Sequence, residues 1–361
     1  VSDPAIQKKP TLKRVIIALL LGTGGGWAAQ MLHLPLAWMI GAMLTVTVAA
    51  TAGLPVAIHP LLRQIMVAVL GVLLGSSFSP ELLDHLADWS MTLTALAAYC
   101  GIGGGLSYLY FRFVAKYDPV TAYFAGMPGG LTEMILVGSS LGGDARQISL
   151  THASRILIVI MTLPFAFQIL EGYEPAARPP PGPPLLELLG SDVAILVACG
   201  IVGFLCARAL RIPAAGLVGP MALSAIAHLS GWTAAKPPFE LIAAAQVVVG
   251  SAIGARFAGV SLALIRRALF YSLGGTAILV AVTLVFAFTL TLVTGIRPDA
   301  LVLAFSPGGL AEMSLIALAL SMDAAFVATH HIIRIFLIVV MAPMAFRLLN
   351  PNLKVTEKSG L

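Results

Sequence analysis

The sequence predicts an all-α polytopic membrane protein built from two inverted repeats, each with about five crossings plus one broken or re-entrant helix. Composition is the first of three observations behind this. Of 361 residues, 59% are hydrophobic and only 10% are charged, with a mean hydropathy of +0.97. A soluble chain carries about 25% charged residues. The second observation is duplication: Pro128-Gly129-Gly130-Leu131-Thr132-Glu133-Met134 returns as Pro307-Gly308-Gly309-Leu310-Ala311-Glu312-Met313. The third is that loop charge reverses between the copies.

Each half carries six apolar segments near the ~20 residues that span a bilayer. They lie at about 13–32, 36–53, 62–79, 89–114, 119–142 and 147–170, then at 193–210, 214–231, 240–259, 268–294, 298–320 and 326–349. Residues 13–170 form the first repeat and 193–349 the second, with 350–361 a cytoplasmic tail. The run Pro179-Pro180-Pro181-Gly182-Pro183-Pro184 makes 171–192 a linker, since such a run cannot be a spanning helix. Lys8, Lys9, Lys13 and Arg14 before the first run imitate a signal peptide, but the run from Val15 has a partner from about Val193. It is therefore expected to be retained.

Correspondence extends beyond the opening motif. Leu34-Pro35 matches Ile212-Pro213, Gly41 and Met43 match Gly219 and Met221, and Gly71, Gly75 and Phe78 match Gly250, Gly254 and Phe257. Small residues spaced by four mark helix-packing faces. The glycine clusters at 22–26 and 101–105 are read the same way, because they precede no Lys-Ser/Thr and follow no strand.

Loop charge sets the relation of the halves. The first segment is preceded by lysine and arginine, and its partner by Glu187 and Asp192. Glu81, Asp84 and Asp88 follow segment three in the first half, against Arg266 and Arg267 in the second. His33 alone lies between segments one and two, against Arg208 and Arg211. By the positive-inside rule the halves lie oppositely in the membrane, with both chain ends cytoplasmic. An even number of crossings forbids that inversion, so one segment per half must turn back. Segment five, interrupted by Pro-Gly-Gly, is the candidate, with proline removing a donor and glycine allowing left-handed turns. Irregular backbone at that depth must line a cavity or be buried in protein.

The chemistry is expected there. Glu133 and Glu312 sit at membrane depth, where a carboxylate costs roughly 2.5–3.5 kcal/mol. They serve as a proton or Na⁺ coupling site or cap a half-helix. His152 and Arg155, like His331 and Arg334, are three apart and share a helix face. The arginines bind an anionic group, pair with Glu133 or Glu312, or snorkel. Asp144 and Asp323 read as caps at the bend. Half-helix N–H groups at the glycine tips suit an anion, with hydroxyls from Thr132, Ser306 and Ser314 nearby. The net charge of +5 is a positive-inside signature and not a nucleic-acid surface. Cys100, Cys199 and Cys206 show neither metal nor disulfide spacing, and no cofactor, metal cluster or enzyme triad is expected.

The doubled Pro-Gly-Gly-Leu-(Thr/Ala)-Glu-Met, each followed by His-x-x-Arg, resembles the AbrB-duplication family of bacterial inner-membrane proteins over about 13–349. Members carry labels of ammonia monooxygenase or transcriptional regulator. The sequence supplies neither a redox-metal constellation nor a DNA-binding module for these. The architecture is also similar to cation–proton antiporters and bile-acid symporters, at the level of fold alone. The leading expectation is an ion-coupled secondary transporter of a small, anionic, organic solute, with H⁺ or Na⁺ as the coupling ion. The alternatives are a channel-like passive permease or a membrane-embedded regulatory protein without transport. The expected partners are the lipid bilayer, the solute and, as for many such transporters, a second copy in a homodimer.

Overall fold

The computed structural model describes residues 10–80, 89–172, 181–188 and 190–349. Among these it has fourteen α-helices and no strand. The first repeat gives α1 (Leu12–Met31), α2 (Ala37–Thr51), α3 (Pro60–Gly75), α4 (Trp89–Leu109, continued by a π-turn over Tyr110–Val114), α5 (Pro119–Gly126), α6 (Leu131–Ser140) and α7 (Ala145–Glu171). The second gives α8 (Gly190–Ala209), α9 (Ala215–Leu229), α10 (Phe239–Gly254), α11 (Leu262–Thr294), α12 (Pro298–Phe305), α13 (Leu310–Ala319) and α14 (Ala324–Leu349). The linker expected over 171–192 yields its end to α8, which starts at Gly190. The acidic loop Glu81–Asp88, the run 173–180 and the tail 350–361 lie outside the described residues.

Among the described residues, six helices are long and apolar enough to cross a membrane: α1, α7, α8, α10, α11 and α14. The exposed faces carry large apolar side chains, such as Leu20, Trp27, Leu205, Phe270 and Leu292, as lipid contact requires and water does not favour. α2, α3 and α9 have 15, 16 and 15 residues. At ~1.5 Å per residue they are shorter than the ~30 Å hydrocarbon core.

The repeats are not the compact units. One unit takes 1–76, 164–210 and 215–264; the other takes 77–163, 211–214 and 265–361. The first unit thus holds α1–α3 and α8–α10, three segments from each repeat. The second holds α4–α6 with most of α7, and α12–α14 with nearly all of α11. The boundary inside α7 falls at Pro164, where the missing N–H already interrupts the helix ladder.

Within the first unit the small residues make the contacts that their spacing predicts. Gly25 lies against the backbone of Gly41, and Gly203 against that of Gly219. Gly71 and Gly75 abut α9, while Gly250 and Gly254 abut α2. These contacts also fix direction. Gly22 faces Ala42 while Gly26 faces Trp38, so α1 and α2 run antiparallel. The loop after α2 returns to the start of α1, where the Ala57 N–H donates to the Arg14 carbonyl at 3.4 Å. α3 therefore sets out from the side where α1 does. Gly71 faces Leu217 and Gly75 faces Met221, so α9 runs parallel to α3 and opposite to its own counterpart, α2. The repeats are inverted within this unit.

Within the second unit, segment five of each repeat is a hairpin of half-length helices. α5 and α6 have 8 and 10 residues, as do α12 and α13. That is ~12 and ~15 Å, half a crossing each. The Asp144 N–H, beyond the end of α6, donates to Thr121 Oγ1 at the start of α5 (2.7 Å), and Gly138 packs on Phe124. The chain therefore returns to the level it left, so the segment is re-entrant and not a kinked crossing. In the second repeat, Ile296, Arg297, Asp299 and Ala300 line one cavity with residues 320–323, so α12 and α13 also share a base.

Candidate functional site

Each hairpin tip is a break in backbone hydrogen bonding. The last bond of the first arm runs from Met127 N–H to the Tyr123 carbonyl (3.1 Å), and in the second repeat from Ser306 N–H to Val302 (2.9 Å). Pro128 and Pro307 follow and carry no N–H, so the closing carbonyls of α5 and α12 have no helical partner. In lipid such groups must be satisfied by protein.

The arginines satisfy them. Arg155 Nη1 donates to the Met127 carbonyl (2.9 Å) and Nη2 to Gly129 (3.4 Å). Arg334 Nη1 donates to Ser306 (2.5 Å) and to Phe305 (3.4 Å), and Nη2 to Gly308 (2.8 Å). Met127 and Gly129 are the repeat counterparts of Ser306 and Gly308, so one brace is built twice. Both arginines are buried. The alternatives from sequence were an anion ligand, an ion pair with Glu133 or Glu312, and a snorkelling chain. The terminal nitrogens instead hold backbone, which rules out snorkelling and turns the fork inward on the tip.

The histidines complete the brace. His152 Nε2 meets the Phe124 carbonyl (2.8 Å), and His331 Nε2 meets Leu303 (3.0 Å). Nδ1 of each lies 2.8 or 2.9 Å from the arginine Nη2 three residues on. Arginine has only donors, so Nδ1 must accept and Nε2 must carry the proton. The chemistry thus fixes the neutral Nε2–H tautomer on both rings.

Gly129, Gly130, Gly308 and Gly309 are absent from the residues with positive φ, and Gly130 and Gly309 are extended at φ −65° and −79°. Left-handed freedom, expected from sequence, is therefore not why they are glycine. What a side chain here would meet is other side chains. A Cβ on Gly130 would meet the Glu133 carboxylate, and one on Gly309 that of Glu312. On Gly129 it would come within 2.8 Å of Ile338, and on Gly308 within 2.6 Å of Met313. Glu133 and Glu312 occupy the first turns of α6 and α13 and fold back over the glycine that starts each helix. A carboxylate there faces the free N–H groups and the positive end of the dipole. Glu312 is buried, whereas Glu133 is only partly so.

The hydroxyls diverge. Ser306 donates to the Val302 carbonyl (2.6 Å), so it offers a ligand a lone pair and no proton. Thr132 is exposed on α6. Ser314 is buried with no hydrogen-bond partner, as is Nε of both Arg155 and Arg334. Asp144 and Asp323 are caps: Asp144 Oδ1 accepts from the Arg146 and Gln147 N–H groups (2.9 and 3.0 Å), and Asp323 Oδ1 from Phe326 (2.9 Å).

Three further polar groups join the site unannounced by motif. Thr283 Oγ1 donates to the Leu279 carbonyl (2.9 Å) and lies 3.2 Å from the Phe305 carbonyl and 3.3 Å from the Tyr99 hydroxyl. His330 bridges the Phe326 carbonyl (2.8 Å) and Thr92 Oγ1 (2.9 Å). Their signal in the sequence was only that of polar residues inside apolar helices.

Comparison with known proteins adds a frame. The model of the family described as "Transition state regulatory protein AbrB" matches residues 38–350. The chain is 26% identical over 371 residues to "Uncharacterized protein YhjN" of Bacillus subtilis (strain 168), covering 96% of this chain and 95% of that one. It is 24% identical over 339 residues to "Putative regulator AbrB" of Escherichia coli (strain K12), covering 93% and 95%.

Proposed function

The chain belongs to the AbrB family, and from that premise we propose that it is an ion-coupled secondary transporter of a small organic anion in the bacterial inner membrane, with both termini cytoplasmic. One observation carries the reading: two re-entrant hairpins in one compact unit, each with a carboxylate over its glycine tip and a buried arginine behind it. Symmetric stacking alone would not require a carboxylate at membrane depth.

Coupling follows from competition at the tip. The Glu133 carboxylate occupies the positive N-terminus of α6, and Glu312 that of α13. A solute anion seeking the same N–H groups meets a like charge. Protonation or Na⁺ binding neutralises the glutamate and opens the N-terminus to the anion, so cation and anion bind together. The two buried guanidinium groups, each with an unused Nε–H, supply the positive field that favours an anion. A compact unit carrying both hairpins is what alternating access needs in a body that moves as a whole. Regulatory effects, as a relative's name suggests, would then arise through the solute moved.

Thermal unfolding of the purified protein tests this across a panel of small carboxylates, with pH and Na⁺ varied. An anion at 100 times its Kd should stabilise the folded state by about 2.7 kcal/mol. In the wild type that stabilisation should require low pH or Na⁺. In Glu133→Gln with Glu312→Gln it should persist without either, while coupled uptake into proteoliposomes is lost. Uptake that proceeds unchanged in this variant would reject the coupling role, and flux indifferent to ionophores would make the protein a passive permease.

A further inference from the structure

We infer that the cavity at the base of the second hairpin is an open aqueous entry port, and that the matching port of the first repeat is shut by a single side-chain clasp. The cavity measures about 400 Å³ and is lined by Trp89, Phe326, Arg297, Asp299, Ala300 and Met322 among others. That is the size of a small-ligand pocket, and its charged lining suits water and polar solutes. Asp299 is buried, yet ion-paired to Arg297, whose side chain is 76% exposed, so the wall runs from solvent inward.

The inner wall reaches toward the tip. Phe326 lies 4.1 Å and Trp89 6.5 Å, centroid to centroid, from His330, and His330 lies 5.9 Å from Phe305. The Phe305 carbonyl accepts from Arg334 Nη1 at 3.4 Å. One aromatic layer therefore separates the cavity from the second tip.

The first repeat has the same frame with the opening filled. The counterpart of Ala300 is Thr121, whose hydroxyl takes the Asp144 N–H at 2.7 Å and which is fully buried. The counterpart of Met322 is Gly143; the N–H of each bonds the matching carbonyl, Ala317 or Gly138, at 2.8 Å, so this turn is common to both bases. A Cβ on Gly143 would come within 3.1 Å of Val120. Thr121 thus draws the bend after α6 onto the start of α5, and Ala300 has no group with which to do the same. With the inversion found within the first unit carried through to the hairpins, the two ports face opposite sides, and the cavity described opens on the second repeat's side. The inference deepens the transport reading but is tested without a solute.

The test is thiol labelling in detergent, where both sides meet reagent equally. Cys206 is exposed and is replaced by serine; Cys100 and Cys199 are buried and remain. Ala300→Cys and, as a second reporter, Met322→Cys should react with a charged methanethiosulfonate at least ten times faster than Val120→Cys. Adding Thr121→Ala should raise the Val120→Cys rate several-fold and leave the Ala300→Cys rate unchanged. Monodispersity by gel filtration shows that each variant is folded. Equal rates at the two bases, or a Val120→Cys rate indifferent to Thr121, would overturn the inference. Neither result would touch the coupling role of the glutamates, which the thermal and flux measurements decide separately.

Discussion

Arg155 and Arg334 do work that lipid makes necessary. A helix broken at membrane depth strands carbonyls, and a guanidinium fork with five donors can gather several at once. Arg334 uses all four terminal N–H groups on Phe305, Ser306, Gly308 and His331, whereas Arg155 makes three such bonds. Arg334→Ala should therefore destabilise by about 3–5 kcal/mol, as for breaking a buried charged network, and Arg155→Ala by less. Arg334→Lys should recover little, because an ammonium is a point donor without the planar fork. Chemical denaturation in a fixed detergent measures the order; a lysine variant as stable as wild type would show that charge, not geometry, holds the tip. The shared face of each His–Arg pair was legible in the sequence, because three residues apart is a helix neighbour. Its carbonyl partners were not, since they lie 28 residues upstream and meet it only once the hairpin has folded.

At the scale of elements, glycine has two uses here, and substitution separates them. Gly25 sits against Gly41 and Thr45 of the next helix, whereas Gly24 beside it has nothing within 4 Å. Both lie inside α1, where glycine is less favourable than alanine by roughly 0.5–1 kcal/mol. Gly24→Ala should therefore raise stability by up to about 1 kcal/mol, while Gly25→Ala should lower it by about 1–3 kcal/mol through overpacking. Thermal unfolding of the two variants side by side checks the sign; equal effects would remove close packing as the reason for the cluster. Spacing by four announced the packing faces at Gly71, Gly75, Gly250 and Gly254, and the structure uses all four. It could not announce which helix each would meet, because that is set by tertiary approach. The Pro-Gly-Gly breaks were equally plain, but none of their glycines has a positive φ, and the second of each pair, Gly130 or Gly309, lies under a glutamate carboxylate.

At the scale of the molecule, loop charge carried the inversion and contact direction within the first unit supports it. The interleaving of repeats into two compact units was not legible, because no residue pattern says that α3 packs on α9 and α10 on α2. The inversion has a sharp consequence for matched loops. His33 and Arg211 occupy corresponding turns, both with left-handed backbone at φ 52° and 55°. If the amino terminus is cytoplasmic, one crossing puts His33 on the periplasmic face. The basic turn at Arg208 and Arg211 should stay inside. In a Cys206→Ser background, a membrane-impermeant thiol reagent applied to intact cells should label His33→Cys and spare Arg211→Cys. Vesicles turned inside out should show the reverse. The left-handed turn tolerates cysteine poorly at both sites, so the strain is matched and the comparison is fair. Labelling of both from one side would mean parallel repeats, with both hairpins entering from the same face and no route for alternating access between them.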